Sequence, residues 1–474
     1  MSESRKKNQP FILENCKIED FAAEGKCIVR KEGEVIFVEG NIAPGDIADI
    51  RIYKRKKNFS EASVVAIKEH SRLRVTPVCE HFGTCGGCKW QHLSYESQLR
   101  FKTQQVMDAL TRIAKVQLPE MNPIIGSPAT FYYRNKLEYT FSKHRWLTHE
   151  EIASGLDFDR NVLGFHIPKR FDKILDIKHC HLQADPSNAL RLATRAFVAP
   201  KDWEHYDHVK QEGFLRNQVI RTTSTGELMV IMIFARPEMS KIQETMQFLV
   251  EQFPEITSLY FILNEKMNDS YADLEPILFA GKPYIEEQME GLKFRIGPKS
   301  FYQTNSTQAY ELYKVARSFA QLTGHEHVYD LYTGTGTIAN FVAKQAKHVV
   351  GIEYVEDAIQ DAKINSQING ISNTSFFAGD MRRILLPSFI EQNGTPDVVI
   401  TDPPRAGMDK EVVEVLMQVA PQRIVYVSCN PATQARDLSL MDALYEVRDV
   451  QPVDMFPHTH HVENVVCLEK RDGV

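Results

Sequence analysis

From Gly291 onward the chain alternates apolar runs of strand length with helical stretches, and nothing else in the sequence restricts the fold so strongly. The runs 327–331, 348–352, 375–378, 397–401 and 423–427 each suit a buried strand, 354–369 suits a helix between two of them, and 450–453 with 464–468 suit a closing pair. Strands separated by helices pair in parallel and need cover on both faces, which predicts an α/β unit over residues 291–474.

Two units are expected ahead of it, making the chain multidomain. Residues 18–67 alternate apolar and polar side chains in short stretches broken by Gly33, Gly40, Pro44 and Gly45, the pattern of a small β-barrel spanning about 10–69. Its last strands carry Arg51, Lys54, Arg55, Lys56, Lys57, Lys68, Arg72 and Arg74 with Tyr53 and Phe59 among them, a mixture suited to phosphate contact and base stacking, or else a solvated rim. Residues 70–290 read as α+β, with a helix at about 95–114 able to pack on the C-terminal unit. From Phe131 to Trp146 aromatics interleave with cations, although many of these suit the buried face of a strand. A net charge of −6 excludes a uniformly basic nucleic-acid binder but not local patches. The longest apolar run, 228–235, is too short to cross a bilayer, and the first ten residues have no leader-like apolar core, so a cytoplasmic address without a membrane partner is expected.

The first strand of the C-terminal unit leads into Asp330-Leu331-Tyr332-Thr333-Gly334-Thr335-Gly336-Thr337, which opens a helix. Gly334 and Gly336 let the backbone approach a ligand there. The next strand ends in Glu353, about twenty residues on, where an acid can grip ribose hydroxyls. The full dinucleotide fingerprint is missing and there is no P-loop, so a nucleoside without a pyrophosphate fits best. Asp380 and Asp402 also stand where strands end and would face the same crevice as Glu353. Such acids more often cap helices, a role for which the Pro403-Pro404 pair makes Asp402 a poor choice.

Cys429, in Val427-Ser428-Cys429-Asn430-Pro431, sits at the mouth of a buried strand facing that crevice. Most single cysteines are small buried hydrophobes; this position, beside a methyl donor, favours a nucleophile that the site must activate. Carbon 5 of uracil is a poor attacker of a sulfonium methyl until a thiolate adds at carbon 6, and after methylation a base must remove the carbon 5 proton. Glu463 is the candidate base. His458, His460 and His461 are rivals for that role or for metal, though their spacing is not a standard zinc pattern. Eight cysteines are too sparse for a disulfide scaffold. Cys79, Cys85 and Cys88, followed much later by Cys180, supply four soft ligands for zinc or a 4Fe-4S cluster; a single Cys-x-x-Cys knuckle and glycines at 83, 86 and 87 favour iron–sulfur, and a redox dithiol at Cys85 and Cys88 is the remaining option.

Taken together, Cys85-Gly86-Gly87-Cys88-Lys89-Trp90-Gln91-His92-Leu93-Ser94-Tyr95, Tyr133-Arg134-Asn135-Lys136, Phe301-Tyr302-Gln303-Thr304-Asn305, Asp402-Pro403-Pro404-Arg405-Ala406-Gly407, Ser428-Cys429-Asn430-Pro431 and His461-Val462-Glu463 resemble the RNA (uracil-5-)-methyltransferase family, in the branch that has an iron–sulfur cluster and an N-terminal TRAM domain of OB type. The resemblance implies a Rossmann-like methyltransferase domain binding S-adenosylmethionine through Gln303, Tyr332, Glu353, Asp380 and Asp402. It also implies Cys429 as nucleophile, Glu463 as proton acceptor, and a 4Fe-4S cluster on Cys79, Cys85, Cys88 and Cys180. The implied substrate is structured RNA, 23S ribosomal RNA before transfer RNA, with no DNA. Thr333 and Thr337 stand where the family often has Cys and Asn; the Thr337 hydroxyl would replace part of the Asn contact to the cofactor. Competing readings are an amino-group methyltransferase, which wants an aromatic where Arg405 follows the prolines, and a non-catalytic RNA-binding protein, against which the intact set Glu353, Asp402, Cys429 and Glu463 argues.

Overall fold

The computed structural model describes residues 11–473. Seven strands form the C-terminal sheet: β1 (His327–Leu331), β2 (His348–Glu353), β3 (Thr374–Ala378), β4 (Val398–Thr401), β5 (Arg423–Ser428), β6 (Tyr445–Val453) and β7 (Glu463–Lys470), in the order β3-β2-β1-β4-β5-β7-β6. The first five are parallel, and β7 runs antiparallel to both neighbours. Strand order reverses between β1 and β4, so a crevice opens at their carboxyl ends. The strands are near-continuous apolar runs because both faces are covered. Val328, Ile400, Val425 and Val427 meet Ala309, Leu312 and Ala316 of helix Ser306–Ala320, while Tyr329, Leu331 and Val399 meet Val412, Leu416 and Leu438 from helices Lys410–Val419 and Pro431–Met441.

Helix Tyr95–Ala109 lies far earlier in sequence yet joins this second face. Ser94 caps it by accepting from the Ser97 N–H, and a single π-turn, Leu110–Ala114, ends it. Val106, Ala109 and Leu110 are buried in the core shared with Ala435 and Met441. Burying side chains the size of Val106 and Leu110 contributes roughly 1.5–3 kcal/mol each, enough to fix the helix against the sheet.

The N-terminal sheet has six strands, and its two edges, Phe11–Lys17 and Asp20–Phe21, are consecutive pieces of one stretch. Ile18 N–H donates to Asp46 O on one side and Glu19 N–H to Ile28 O on the other, so the sheet closes into a barrel around Cys16, Cys27, Val29, Ile36, Ile50 and Ala62. Closure removes the edge strands that would otherwise invite pairing. Arg51, Lys54, Arg55, Lys56 and Lys57 are exposed on it. Arg74 is turned inward, its guanidinium on the fully buried Asp46 at 2.7 Å, so that one cation of the expected patch anchors the barrel instead.

Between them lies an eight-stranded sheet whose central strands are Lys136–Ser142, Val162–Ile167, Leu215–Thr222 and Leu228–Phe234. Helices Ser187–Val198 and Met239–Gln252 cover one face through Leu190, Ile242 and Met246, and the other face shares Val219, Met229 and Ile231 with the core of the C-terminal unit. A hairpin, Ile285–Met289 and Leu292–Ile296, straps the two together: Glu287 accepts from the Ser224 N–H at 3.0 Å and from the Ser306 hydroxyl at 2.7 Å, while Lys293 and Arg295 N–H groups donate to Asn369 and Asn365. Among the described residues no helix is long and apolar enough to cross a membrane.

Candidate active site and cysteine cavity

The glycine loop carries three residues at positive φ: Tyr332 (64°), Gly334 (55°) and Gly336 (73°). A Cβ on Gly336 would fall 2.8 Å from that of Ala362, so only glycine lets the loop pass helix Glu356–Ile368; a Cβ on Gly334 would meet nothing within 4 Å, which leaves that side open for a ligand. Glu353, at the end of β2, accepts from the Gly334 N–H at 3.1 Å and the Val355 N–H at 3.0 Å. Thr337 opens the following helix, buried, its hydroxyl 3.3 Å from that of Thr335. Asp330 accepts from the Thr333 hydroxyl at 2.5 Å and the Ala339 N–H at 3.0 Å through Oδ2, while Oδ1 is buried without a partner. Burial, then the charges of Asp402 and Glu353, push Asp330 up to about 7. The Tyr313 phenol is raised by burial and then by Asp402 and Asp330 and is lowered by the nearby Gln303 side chain, so these four residues share one neighbourhood. An orphaned acid oxygen among clustered carboxylates beside an open glycine turn suits a cationic nucleoside.

Asp380 is placed differently. It caps helix Met381–Ile384 by accepting from the Arg382 N–H at 3.0 Å, and the Arg382 guanidinium engages the same carboxylate at 3.1 and 2.8 Å. This is the capping fate that the sequence left open. Tyr332 is half-buried; burial raises its phenol most, followed by the charges of Asp409, Asp437, Asp380 and Glu353.

Cys429 follows β5 directly, and Asn430 caps the next helix by accepting from the Ala432 N–H at 3.2 Å. The Asn430 amide and the Thr433 hydroxyl both donate to Arg405 O, at 3.0 and 3.3 Å, so the cysteine turn and the Pro-Pro-Arg turn are laced together. Cys429, Glu463, Arg405, Arg134, Lys89 and His461 line one cavity of about 320 Å³. Glu463 is 5% exposed; burial, then the charge of Asp402, push it up to about 8 against the pull of Arg405. Burial alone takes Asp402 to about 7, and burial with Glu463 and Asp402 takes the Cys429 thiol to about 11. Burial therefore raises all three groups, Asp402 adds to the shift of Glu463 and both acids to that of Cys429, and a positive charge entering between them would favour release of their protons.

The histidines are poorer candidates for the base. Burial pushes His458 down to about 4, His460 to about 3 and His461 to about 4, so their neutral rings are weak proton acceptors. His458 Nδ1 is 3.2 Å from the Gln98 amide, and His460 stacks on His461 with centroids 4.1 Å apart. Among the described residues the three rings do not converge as an ion site would require. The loop leading to Glu463 is pinned by the Lys102–Asp454 pair, both side chains fully buried, with the Tyr95 hydroxyl donating to Asp454 at 2.7 Å.

Cys79, Cys85, Cys88 and Cys180 line a second cavity of about 620 Å³. The Gly87 N–H donates to Cys85 at 3.4 Å, and the N–H groups of His81 and Phe82 by Cys79, that of Leu182 by Cys180 and the Gln91 side chain by Cys88 each favour the charged sulfur. Such donors suit sulfurs that carry negative charge. Burial raises all four thiols, Cys85 and Cys88 to about 12, so thiolates here need a cationic centre beside them. No three of these sulfurs lie mutually within 4.8 Å, whereas zinc–sulfur bonds of about 2.3 Å would draw them closer than that.

Arg405, Lys89, Arg134 and Phe456 border the Cys429 cavity, and none of them was assigned to the site from sequence. Their signal was position: Arg405 follows Asp-Pro-Pro, Lys89 follows Cys88, and Arg134 stands among the aromatics at 131–133.

Comparison with known proteins agrees with this geometry. The profile of the tRNA (uracil-5-)-methyltransferase family matches residues 222–471, and that of the TRAM domain matches residues 15–65, within the barrel. An uncharacterized RNA methyltransferase of Bacteroides thetaiotaomicron is 57% identical, covering 95% of this chain and 100% of its own length. One of Chlorobaculum tepidum is 38% identical over 96% of each. The crystal structure of the Pyrococcus abyssi tRNA (uracil-54, C5)-methyltransferase in complex with S-adenosyl-L-homocysteine superposes with a TM-score of 0.74 at 29% identity, covering 96% of this chain and all of that one. With over half of its residues inside one family profile and relatives matched from end to end, the chain belongs to the tRNA (uracil-5-)-methyltransferase family and is an RNA methyltransferase.

Proposed function

We propose that the enzyme methylates carbon 5 of a uridine in structured RNA, with S-adenosylmethionine held by the glycine loop, Glu353, Gln303 and the Asp402 neighbourhood, and with Cys429 as covalent nucleophile. The observation that carries this reading is the meeting of Cys429, Glu463 and Arg405 in one cavity beside Asp402. The target base must leave its stack to enter so enclosed a site, and Lys89, Arg134 and Arg405 suit its phosphates.

Cys429 gives its proton to water and its sulfur bonds to carbon 6, while the electron pair of the 5,6 double bond moves to carbon 5 and makes it nucleophilic. S-adenosylmethionine supplies the methyl group and leaves as S-adenosylhomocysteine. Ionised Glu463 then takes the carbon 5 proton, the ring double bond re-forms and the carbon–sulfur bond breaks. The positive sulfonium and Arg405 are the charges that shift Glu463 and Cys429 toward their working, ionised forms. The lining of one cavity by four cysteines, with N–H groups beside their sulfurs, supports a 4Fe-4S cluster held by Cys79, Cys85, Cys88 and Cys180, and Asp380 would complete the cofactor crevice by giving up part of its bond to Arg382.

The resemblance to the iron–sulfur branch with a TRAM domain supports 23S ribosomal RNA as substrate. Mass-spectrometric mapping of 5-methyluridine in RNA from a strain lacking the gene tests it: a methyl group missing from 23S RNA is expected, and one missing only from transfer RNA would refute the ribosomal assignment while leaving the chemistry intact.

A further inference from the structure

Three side chains distant in sequence converge on the central sheet: His166 from strand Val162–Ile167, His208 from the loop before Leu215–Thr222, and Asp269 from the loop after Ser258–Leu263. One ligand atom of each lies within 4.8 Å of the other two. His208 is 8% exposed and neither of its ring nitrogens has a partner; His166 Nδ1 is also buried without one. Leaving these buried nitrogens without partners is unfavourable, and an electron-pair acceptor between the rings would take one nitrogen of each.

The surroundings orient the ligands. His166 Nε2 lies 3.4 Å from the Thr140 hydroxyl, which accepts from the Asn217 amide at 3.3 Å; a proton on Nε2 directed at Thr140 leaves the Nδ1 lone pair available. Arg216 holds Asp269 through Oδ1 alone, at 3.0 and 3.3 Å, so Oδ2 is not taken by it. The Arg216 guanidinium also donates to the carbonyls of Asn264, Lys266 and Asn268, folding the loop back so that Asp269 faces the histidines.

We propose that His166, His208 and Asp269 bind a divalent first-row transition ion of zinc type, with water completing its coordination. Two imidazoles and a carboxylate suit zinc and its neighbours, whereas calcium and magnesium take oxygen ligands. The nearby Arg216 charge opposes the ion and sets its affinity below that of a closed four-ligand site, so binding is reversible. Bound metal would clamp the 264–273 loop and the 205–213 loop to the sheet.

The test uses full-length protein purified anaerobically with its iron retained, stripped with a weak chelator, then dialysed to equilibrium against zinc(II), with zinc and iron measured separately because His166 also borders the cysteine cavity. About one zinc per chain is expected with iron unchanged. His208→Ala should lose it, and Asp269→Asn should bind roughly tenfold more weakly. Zinc should raise the Tm of the parent and not that of His208→Ala. No zinc on the parent, equal zinc on both variants, or zinc gained only as iron is lost would overturn the proposal. If His208→Ala does not fold, the exposed Asp269 carries the comparison through Asp269→Asn.

Discussion

Two cavities in this molecule hold cysteines; burial raises the thiols in both, and what else surrounds the sulfur differs. Around Cys79, Cys85, Cys88 and Cys180 burial raises the thiols, yet neighbouring N–H groups and the Gln91 side chain favour negative sulfur, with the Gly87 N–H on Cys85 at 3.4 Å, so a cationic centre among them would hold thiolates. Around Cys429 burial and then the two nearby acids push the thiol up, while Arg405 and the residue's own backbone pull it down. The first site is built to keep its thiolates bound. The second keeps its thiol protonated until a ligand changes the charge around it, and a cysteine that must bond and release within each turnover needs that conditional reactivity.

The largest effects should come from swapping the two kinds of cysteine. Cys429→Ala is expected to reduce methyl transfer from radiolabelled cofactor below about one-thousandth of the parent while leaving iron content and Tm unchanged. Cys85→Ser should do the reverse, losing the brown colour of anaerobically purified protein and lowering Tm by about 5–10 °C. Were Cys429→Ala to lose iron as well, the two sites would not be separable in the way described.

Removing the acid without the sulfur is the next test. Glu463→Gln should still form the adduct and accept the methyl group but release product about 10²- to 10⁴-fold more slowly, so that denaturing gels show enzyme bound to ordinary RNA. Equal turnover would transfer the base role to another group, with the histidines the next to examine.

The smallest effect concerns pH. Because burial raises Glu463 from 4.5 to about 8, the folded state holds a proton that the unfolded chain has released between those values. Its contribution to stability is therefore full below about 4.5 and is lost as pH rises through about 8. Cofactor-free parent should lose stability over that range in urea titrations, and Glu463→Gln should flatten the slope. Activity should climb over the upper part of the same range, since only ionised Glu463 accepts a proton.

Much of this was legible beforehand where one physical rule dominates. The parallel strands of the C-terminal sheet are apolar throughout because both faces are buried, so β1 to β5 were found to within a residue or so at each end. The link from Glu353 to Gly334 follows from acid and glycine spacing on successive strands. Strand Phe11–Lys17 was missed because Cys16 is its one fully buried side chain, leaving little alternation to see. Asp380 shows the limit for site residues: its position after β3 does not reveal that Arg382 would take its carboxylate. The joining of Arg405 to the Cys429 turn depends on contacts between segments some twenty-five residues apart, which no local pattern records.

The central claim is tested most directly by trapping. RNA carrying 5-fluorouridine, incubated with enzyme and S-adenosylmethionine, should form a denaturation-resistant complex, because fluorine at carbon 5 leaves Glu463 no proton to remove. Digestion and mass spectrometry should find the methylated fluorouridine on the peptide containing Cys429. An adduct on any other residue, or normal turnover with no complex, would contradict the account.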